Sequence, residues 1–186
     1  GGTFAASNYA VAYNNGDIVV TAAIPLTFNA IPSKVYGTAD FSPGATGSGT
    51  ITYTSSSTSV ATIVSGNIHI VGVGSSTITA SNGTSSLKQT LTVTRAALTI
   101  TANNVNKTYG ATLSGGTGSS AFTPSGLAYG QTIGSVTIAY GTGSAANAAV
   151  NTYTGTVTPS AATSGTFNAD NETITYTKGN IIVGKA

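Results

Sequence analysis

SGTFNADNETITYTKGNIIVGKA (residues 164–186) closes the chain, and GGTFAASNYAVAYNNGDIVVTAA (residues 1–23) opens it. Gly2 placed on Gly165 sets an offset of 163 residues. Thr3, Phe4, Ala6, Asn8, Tyr13, Gly16, Ile18, Val20 and Ala23 then fall on Thr166, Phe167, Ala169, Asn171, Tyr176, Gly179, Ile181, Val183 and Ala186. Val11 falls on Ile174 and Val19 on Ile182, so the apolar pattern is repeated as well. In each copy apolar and polar residues alternate, which places them on opposite faces of a strand. A Gly preceded by Asn15 or Lys178 interrupts the alternation. This arrangement predicts strand, tight turn, strand: a hairpin in both copies.

The same alternation runs through the chain. GDIVVTAA, GTITYTSSS, GNIHIVGVG, SSTITAS, KQTLTVT, ALTITAN, GSVTIAYG, NTYTGTVTPS, ETITYTKGN and NIIVGKA all read as short strands rich in Val, Ile, Thr and Tyr. Gly, Asn, Ser and Pro punctuate their ends. Sustained 3.6-residue periodicity is missing; only GSAANAAVN has the composition for a single helical turn. Many short strands at regular spacing predict an all-β chain of sandwich type.

Composition narrows the function classes. Charged residues make up 5% of the 186 residues, with six Lys and Arg against four Asp and Glu. The cations are spread along the sequence, so nucleic acid would find no basic patch. Asp17, Asp40, Asp170 and Glu172 are the whole carboxylate supply, too scattered for a calcium cage. Cysteine is absent, which rules out disulfides and thiolate metal sites. Apolar runs fall well short of the about 18 residues that a transmembrane helix needs, so no membrane insertion is expected.

A second repeat sits inside the first. LTFNAIPSKVYG (Leu26–Gly37) aligns with LTITANNVNKTYG (Leu98–Gly110), with one residue inserted, and both finish on Lys-x-Tyr-Gly. The two starts lie 72 residues apart, a suitable length for one small β-sandwich. The chain is therefore expected to divide into a terminal hairpin (1–23), a first domain (24–96) and a second domain (97–186). The junctions AAIPLTF and TRAALTI are short, which favours a stiff arrangement over loosely tethered beads.

Residues 97–186 resemble the bacterial YDG or MBG-type immunoglobulin-like repeat. LTITANNVNKTYG, SGLAYGQTIGSVTIAYGTG, NTYTGTVTPSAATSGTFNADNETITY and GNIIVGKA carry the likeness. Residues 24–96 resemble a related MBG and BIG2-like repeat through IPSKVYGTADFSP, ITYTSSSTSVATIVSGNIHIVGVGSSTITA and LKQTLTVT. The family's Tyr-Asp-Gly spelling appears here as Tyr36-Gly37 and Tyr109-Gly110. The resemblance implies tandem immunoglobulin-like β-sandwiches and an extracellular location on the bacterial cell surface. It implies a structural repeat of a large secreted adhesin, a stalk or spacer whose partners are neighbouring repeats. Residues 1–23 would then be the final hairpin of a preceding YDG-like repeat. Alternatives are a self-assembling filament subunit that uses residues 1–23 as a donor hairpin, and a module that grips surface glycans or other cells.

No catalytic, cofactor-binding or metal-binding residue is assigned, and the chain is not expected to be an enzyme. His69, the only histidine, lies between Ile68 and Ile70 and should point away from them, to the outer face. A lone imidazole makes no metal site without partners. Asp170 and Glu172, two apart at the start of a strand, should share a face. Lys34 and Lys107 hold equivalent places before Tyr36 and Tyr109. Either could join an Asn and a carboxylate in an isopeptide bond, but the favoured reading is a turn cap with the stem packed on an aromatic ring. Tyr13, Tyr53, Tyr140 and Tyr176 lie in strand patterns, where half-buried rings with rim hydroxyls are the ordinary case. GATGSGT and SGGTGSS read as hairpin loops. Asn82, Asn106 and Asn171 begin Asn-x-Thr sequons of the kind that arise by chance in an Asn- and Thr-rich chain.

Overall fold

The structure, a computed structural model, describes residues 9–14 and 17–186. The chain is all-β and divides into two compact units, Gly1–Thr94 and Arg95–Ala186. The GSAANAAVN stretch is a turn, closed by the Ala148 N–H donating to the Ala145 carbonyl.

In the first unit the strands are β1 (Tyr9–Asn14), β2 (Asp17–Ala22), β3 (Lys34–Val35), β4 (Thr52–Ser55), β5 (Ala61–Val64), β6 (Asn67–Ile70), β7 (Gly74–Ser81) and β8 (Ser86–Thr94). β1 and β2 form an antiparallel hairpin in which Val11 pairs with Val20 and Tyr13 with Ile18. The remaining strands form a four-stranded sheet in the order β3-β8-β7-β4 and a two-stranded pair, β5-β6. Period-two alternation along β7 leaves Ser76, Ile78 and Ala80 buried and the residues between them more exposed. Ile68, Ile70, Ile78 and Leu91 are completely buried.

The second unit contains β9 (Ala96–Ala102), β10 (Val105–Thr108), β11 (Gly116–Ser119), β12 (Phe122–Ser125), β13 (Ile133–Tyr140), β14 (Asn151–Gly165), β15 (Glu172–Thr177) and β16 (Gly179–Gly184). Five strands form one sheet, β10-β16-β14-β13-β11, and three form another, β12-β9-β15. The two sheets share one core. Leu98, Ile100 and Ala102 from the smaller sheet are buried with Val136, Ile138, Val157, Ile181 and Val183 from the larger. Burying each Leu, Ile or Val among them stabilises the fold by about 1.5–3 kcal/mol.

The closing segment departs from its expected form. β15 and β16 do not pair with each other. β15 runs parallel to β9 in the small sheet, while β16 lies between β10 and β14 in the large one. The segment is therefore an arch that crosses from sheet to sheet, with Lys178 as its link. β9 and β10 form a second arch, linked by Asn103 and Asn104, and the two stack in register. Glu172 pairs with Ala96 and Ile181 with Val105, a constant separation of 76 residues. The Asn104 side-chain oxygen accepts from the Asn180 N–H at 2.8 Å, which locks the links together. The hairpin reading fails here because better strand partners lie outside the segment.

Close stacking explains Gly179. A Cβ there would lie 2.6 Å from the Ala102 carbonyl oxygen and 2.8 Å from that of Asn103. Gly179→Ala should destabilise the second unit by about 1–3 kcal/mol through overpacking against backbone. Gly116→Ala meets nothing within 4 Å and should change stability by less than about 1 kcal/mol. Urea denaturation of the two variants checks the contrast.

Candidate functional site

The two Lys-x-Tyr-Gly motifs build the same device in both units. The first places Lys34 and Val35 in β3, parallel to Val93 and Thr94 at the end of β8. The second places Lys107 and Thr108 in β10, parallel to Val183 and Gly184 at the end of β16. One further bond extends each pairing. The Tyr36 N–H donates to the Thr94 carbonyl at 2.8 Å, and the Tyr109 N–H to the Gly184 carbonyl at 2.9 Å. The chain then turns away at a glycine in the left-handed region, φ 89° at Gly37 and 92° at Gly110, where a side chain would be strained. In each unit, then, the strand that carries the Lys-x-Tyr-Gly motif is clipped in parallel to the last strand.

The anchoring of the clip differs between the units. Lys107 is buried, and its Nζ donates to the carbonyls of Ala111 (2.8 Å) and Ala145 (2.5 Å). It ties β10 to the turns beyond both β10 and β13. Lys34 is half-buried and sits 4.7 Å above the centre of the Phe41 ring. The tyrosines are reversed: Tyr36 is buried and Tyr109 is half exposed. The turn-cap reading describes Lys107, and packing of the stem on an aromatic ring describes Lys34, with Phe41 in place of the neighbouring tyrosine. No hydrogen bond links Lys107 to Glu172, whose carboxylate oxygens have no hydrogen-bond partner among the described residues.

Asp170 and Glu172 do not share a face. Asp170 lies in a 3-10 turn, Ala169–Asn171, capped by the Asn168 side chain, and is exposed. Its main-chain carbonyl accepts from Arg95 Nε at 3.0 Å. Glu172 begins β15 and is 2% exposed. Desolvation of its carboxyl raises its pKa above the usual 4.5. The turn ends between the two residues, so the period-two argument does not span them.

His69 stands between the fully buried Ile68 and Ile70 and is itself partly exposed, as alternation requires. Its Nδ1 lies 2.7 Å from Asp40 Oδ1, a surface pair that sequence spacing did not reveal. Among the described residues no group of three or more His, Cys, Asp or Glu side chains is placed to hold a metal ion. No helix there is long and apolar enough to cross a membrane.

Tyrosine hydroxyls bond to backbone groups of two loops and of β14. Tyr53 accepts from the Ala45 N–H at 3.1 Å, Tyr176 accepts from the Ala162 N–H at 2.8 Å, and Tyr153 donates to the Ala149 carbonyl at 3.1 Å. Tyr140 packs against the second core as a partly buried residue, and the Tyr13 side chain lies outside the described residues. Among the described side chains, Tyr109 and Tyr129 are the tyrosines about half exposed. The sequon asparagines differ in access: Asn106 is exposed, Asn171 is buried, and the Asn82 amide is engaged with Ser48, Thr84 and Ser85. SGGTGSS is not a hairpin loop: it contains the whole of β11, which pairs with β13.

No protein-family model matches the chain, and no curated protein matches it.

Two outcomes test the site. Lys107→Met leaves two carbonyls without their donor and should cost about 2–3 kcal/mol, whereas Lys34→Met forfeits a cation–π contact worth about 0.5–1 kcal/mol. Urea titration of each variant measures both. For Glu172, a folded-state pKa above the unfolded one means that its contribution is most favourable below the unfolded pKa and is lost as pH rises through the folded pKa. Glu172→Gln should therefore stabilise the protein at pH 8, by about 1 kcal/mol. The gain should vanish near pH 4, as read by thermal melts across that range.

Proposed function

We propose that this chain is a segment of an extracellular stalk: tandem immunoglobulin-like sandwiches of a bacterial surface adhesin that transmit tension to a distal tip. The observation that carries the reading is the parallel pairing of the Lys-x-Tyr-Gly strand with the final strand in both units. Tension applied at the two ends of a unit pulls parallel neighbours in opposite directions along their own axes. All the bonds between them are then loaded together, in shear. An antiparallel hairpin pulled apart from its open end breaks one pair at a time. Parallel ladders at the two ends of a unit thus resist stretching by geometry, without any unusually strong bond.

Three further features support the reading. The stacked arches add a second parallel ladder, β9 with β15, to the same pull. Lys107 fastens the clipped strand to two turns. The motif resemblance of residues 24–96 and 97–186 to repeats of secreted surface proteins points to the same role and to neighbouring repeats as partners.

Single-molecule pulling tests the proposal. Stretched through its two ends, the chain should unfold in two separate events, each at high force. The second unit held instead through Ser135 and Thr163, partners across β13 and β14, should peel open at a several-fold lower force. Equal forces in the two geometries would remove the mechanical argument.

A further inference from the structure

β15 is an outer strand of the small sheet, whose order is β12-β9-β15. Among the described residues no strand pairs with its free side. In a parallel ladder alternate residues turn their N–H and C=O away from the partner strand. The free side of β15 therefore offers a row of donors and acceptors to another chain. The other outer strands of this unit are interrupted: β12 by Pro124, β11 by glycines and a register shift, β10 by its length of four residues. β15 keeps step with β9 from Glu172 to Thr177 and contains neither Pro nor Gly.

The sequence of this strand complements itself about Thr175. Thr173 mirrors Thr177, Ile174 mirrors Tyr176, and Glu172 mirrors Lys178. Two copies laid antiparallel across a two-fold axis would therefore match along their length. Thr173 would oppose Thr177 of the second copy, and the two Thr175 residues would oppose each other, all on the exposed outer face. Ile174 would oppose Tyr176 of the second copy on the core face, where both are only partly buried against the second core. Thr–Thr and aromatic–β-branched pairs are favourable across strands. At the ends, Glu172 would oppose Lys178 of the second copy. The Glu172 carboxylate has no hydrogen-bond partner among the described residues, and Lys178 is exposed. A parallel pairing in register would set Glu172 against Glu172 and Lys178 against Lys178, so the same two charges select the antiparallel sense.

We propose that β15 is a self-docking edge: it pairs antiparallel with β15 of a second copy of this chain, across a two-fold axis at Thr175. The two small sheets would join into one continuous sheet, and the interface is isologous, as a two-fold requires. A six-residue edge is small beside the roughly 1,200 Å² that specific interfaces bury. The contact is therefore weak between free chains and gains strength where copies are held side by side. Lateral joining of stalks is its use under the stalk reading, but the pairing itself does not depend on that reading.

Cysteine trapping tests the pairing and its register, because the chain has no cysteine of its own. Residues opposed across an antiparallel pair have Cα atoms about 4.5–5.5 Å apart, within reach of a disulfide. In the full chain, Thr175→Cys should give a disulfide-linked dimer on mild oxidation. Thr173→Cys and Thr177→Cys should stay monomeric alone and cross-link to each other when mixed. Ser125→Cys, exposed on the opposite edge of the same sheet, sets the level of chance collision. In sedimentation at rising concentration the unaltered chain should show a monomer–dimer equilibrium. Thr175→Lys, which sets two ammonium groups face to face at the axis, should weaken it about ten-fold or more. Thr175 is exposed, so both variants should keep the parent melting profile. Cross-linking of Thr175→Cys no greater than that of Ser125→Cys, or dimerisation unchanged by Thr175→Lys, overturns the proposal. A strictly monomeric stalk would still resist force in the pulling geometry, so failure here is distinct from failure of the stalk reading.

Discussion

The structure of the second unit depends on one constraint: two arches must stack in register. β9 and β15 align in the small sheet only if β10 and β16 align in the large one, because each pair is joined through a short link. The 76-residue separation is identical in both sheets, so a slip of one residue in either ladder would have to be matched in the other. It would also move Ile174 and Tyr176 to the wrong face, since side chains alternate with period two. The core thereby fixes the register of the ladders, and the ladders bring Leu98, Ile100, Ile181 and Val183 together. Gly179 and the Asn104–Asn180 bond are local consequences of links that pass within contact distance of one another.

The first unit meets the same need with less. Its early strand β3 is two residues long, yet it makes the same parallel pairing, the same tyrosine amide bond and the same left-handed glycine turn. What it lacks is a buried lysine. The aromatic pair of Phe28 and Tyr53, with ring centres 6.1 Å apart, and the buried Tyr36 supply apolar bulk in that unit. Lys107 instead brings a charge inside and satisfies it with the carbonyls of Ala111 and Ala145. One motif thus admits two solutions, and the neighbours of the lysine decide which is used.

Alternation made most of the strands legible, because Val, Ile, Thr and Tyr on a half-buried sheet leave a clear period-two trace. β3, β10, β11 and β12 left little trace. They are short, and VNKT or GTGS carries too few apolar residues to show a face. The internal repeat was legible, but its pairing was not. An Asn-Gly or Lys-Gly step signals a turn, and sequence alone does not say whether the strands beside it meet each other or a third strand. The parallel clip was illegible for the same reason, since Lys34 and Val93 lie far apart in the chain. The burial of Glu172 was hidden by the short 3-10 turn before it, which takes up Asp170 and delays the start of the alternation to Glu172.

Few charges also impose a problem at the sheet edges, where unpaired backbone groups invite other chains. Many proteins place lysines along such edges; this one has only six cations in all. Other devices take over. β12, an outer strand of the small sheet, contains Pro124, which has no N–H to donate. β11, an outer strand of the large sheet, is glycine-rich and shifts register against β13. β3 and β10 are short. β15, at six residues, is the longest outer strand of the second unit and follows its partner β9 without a register shift. Its exposed side chains are the threonines 173, 175 and 177. Edge protection is thus weakest on the strand whose sequence recurs at the start of the chain, and there the arch is held by its partners in the sheets and by the core beneath it.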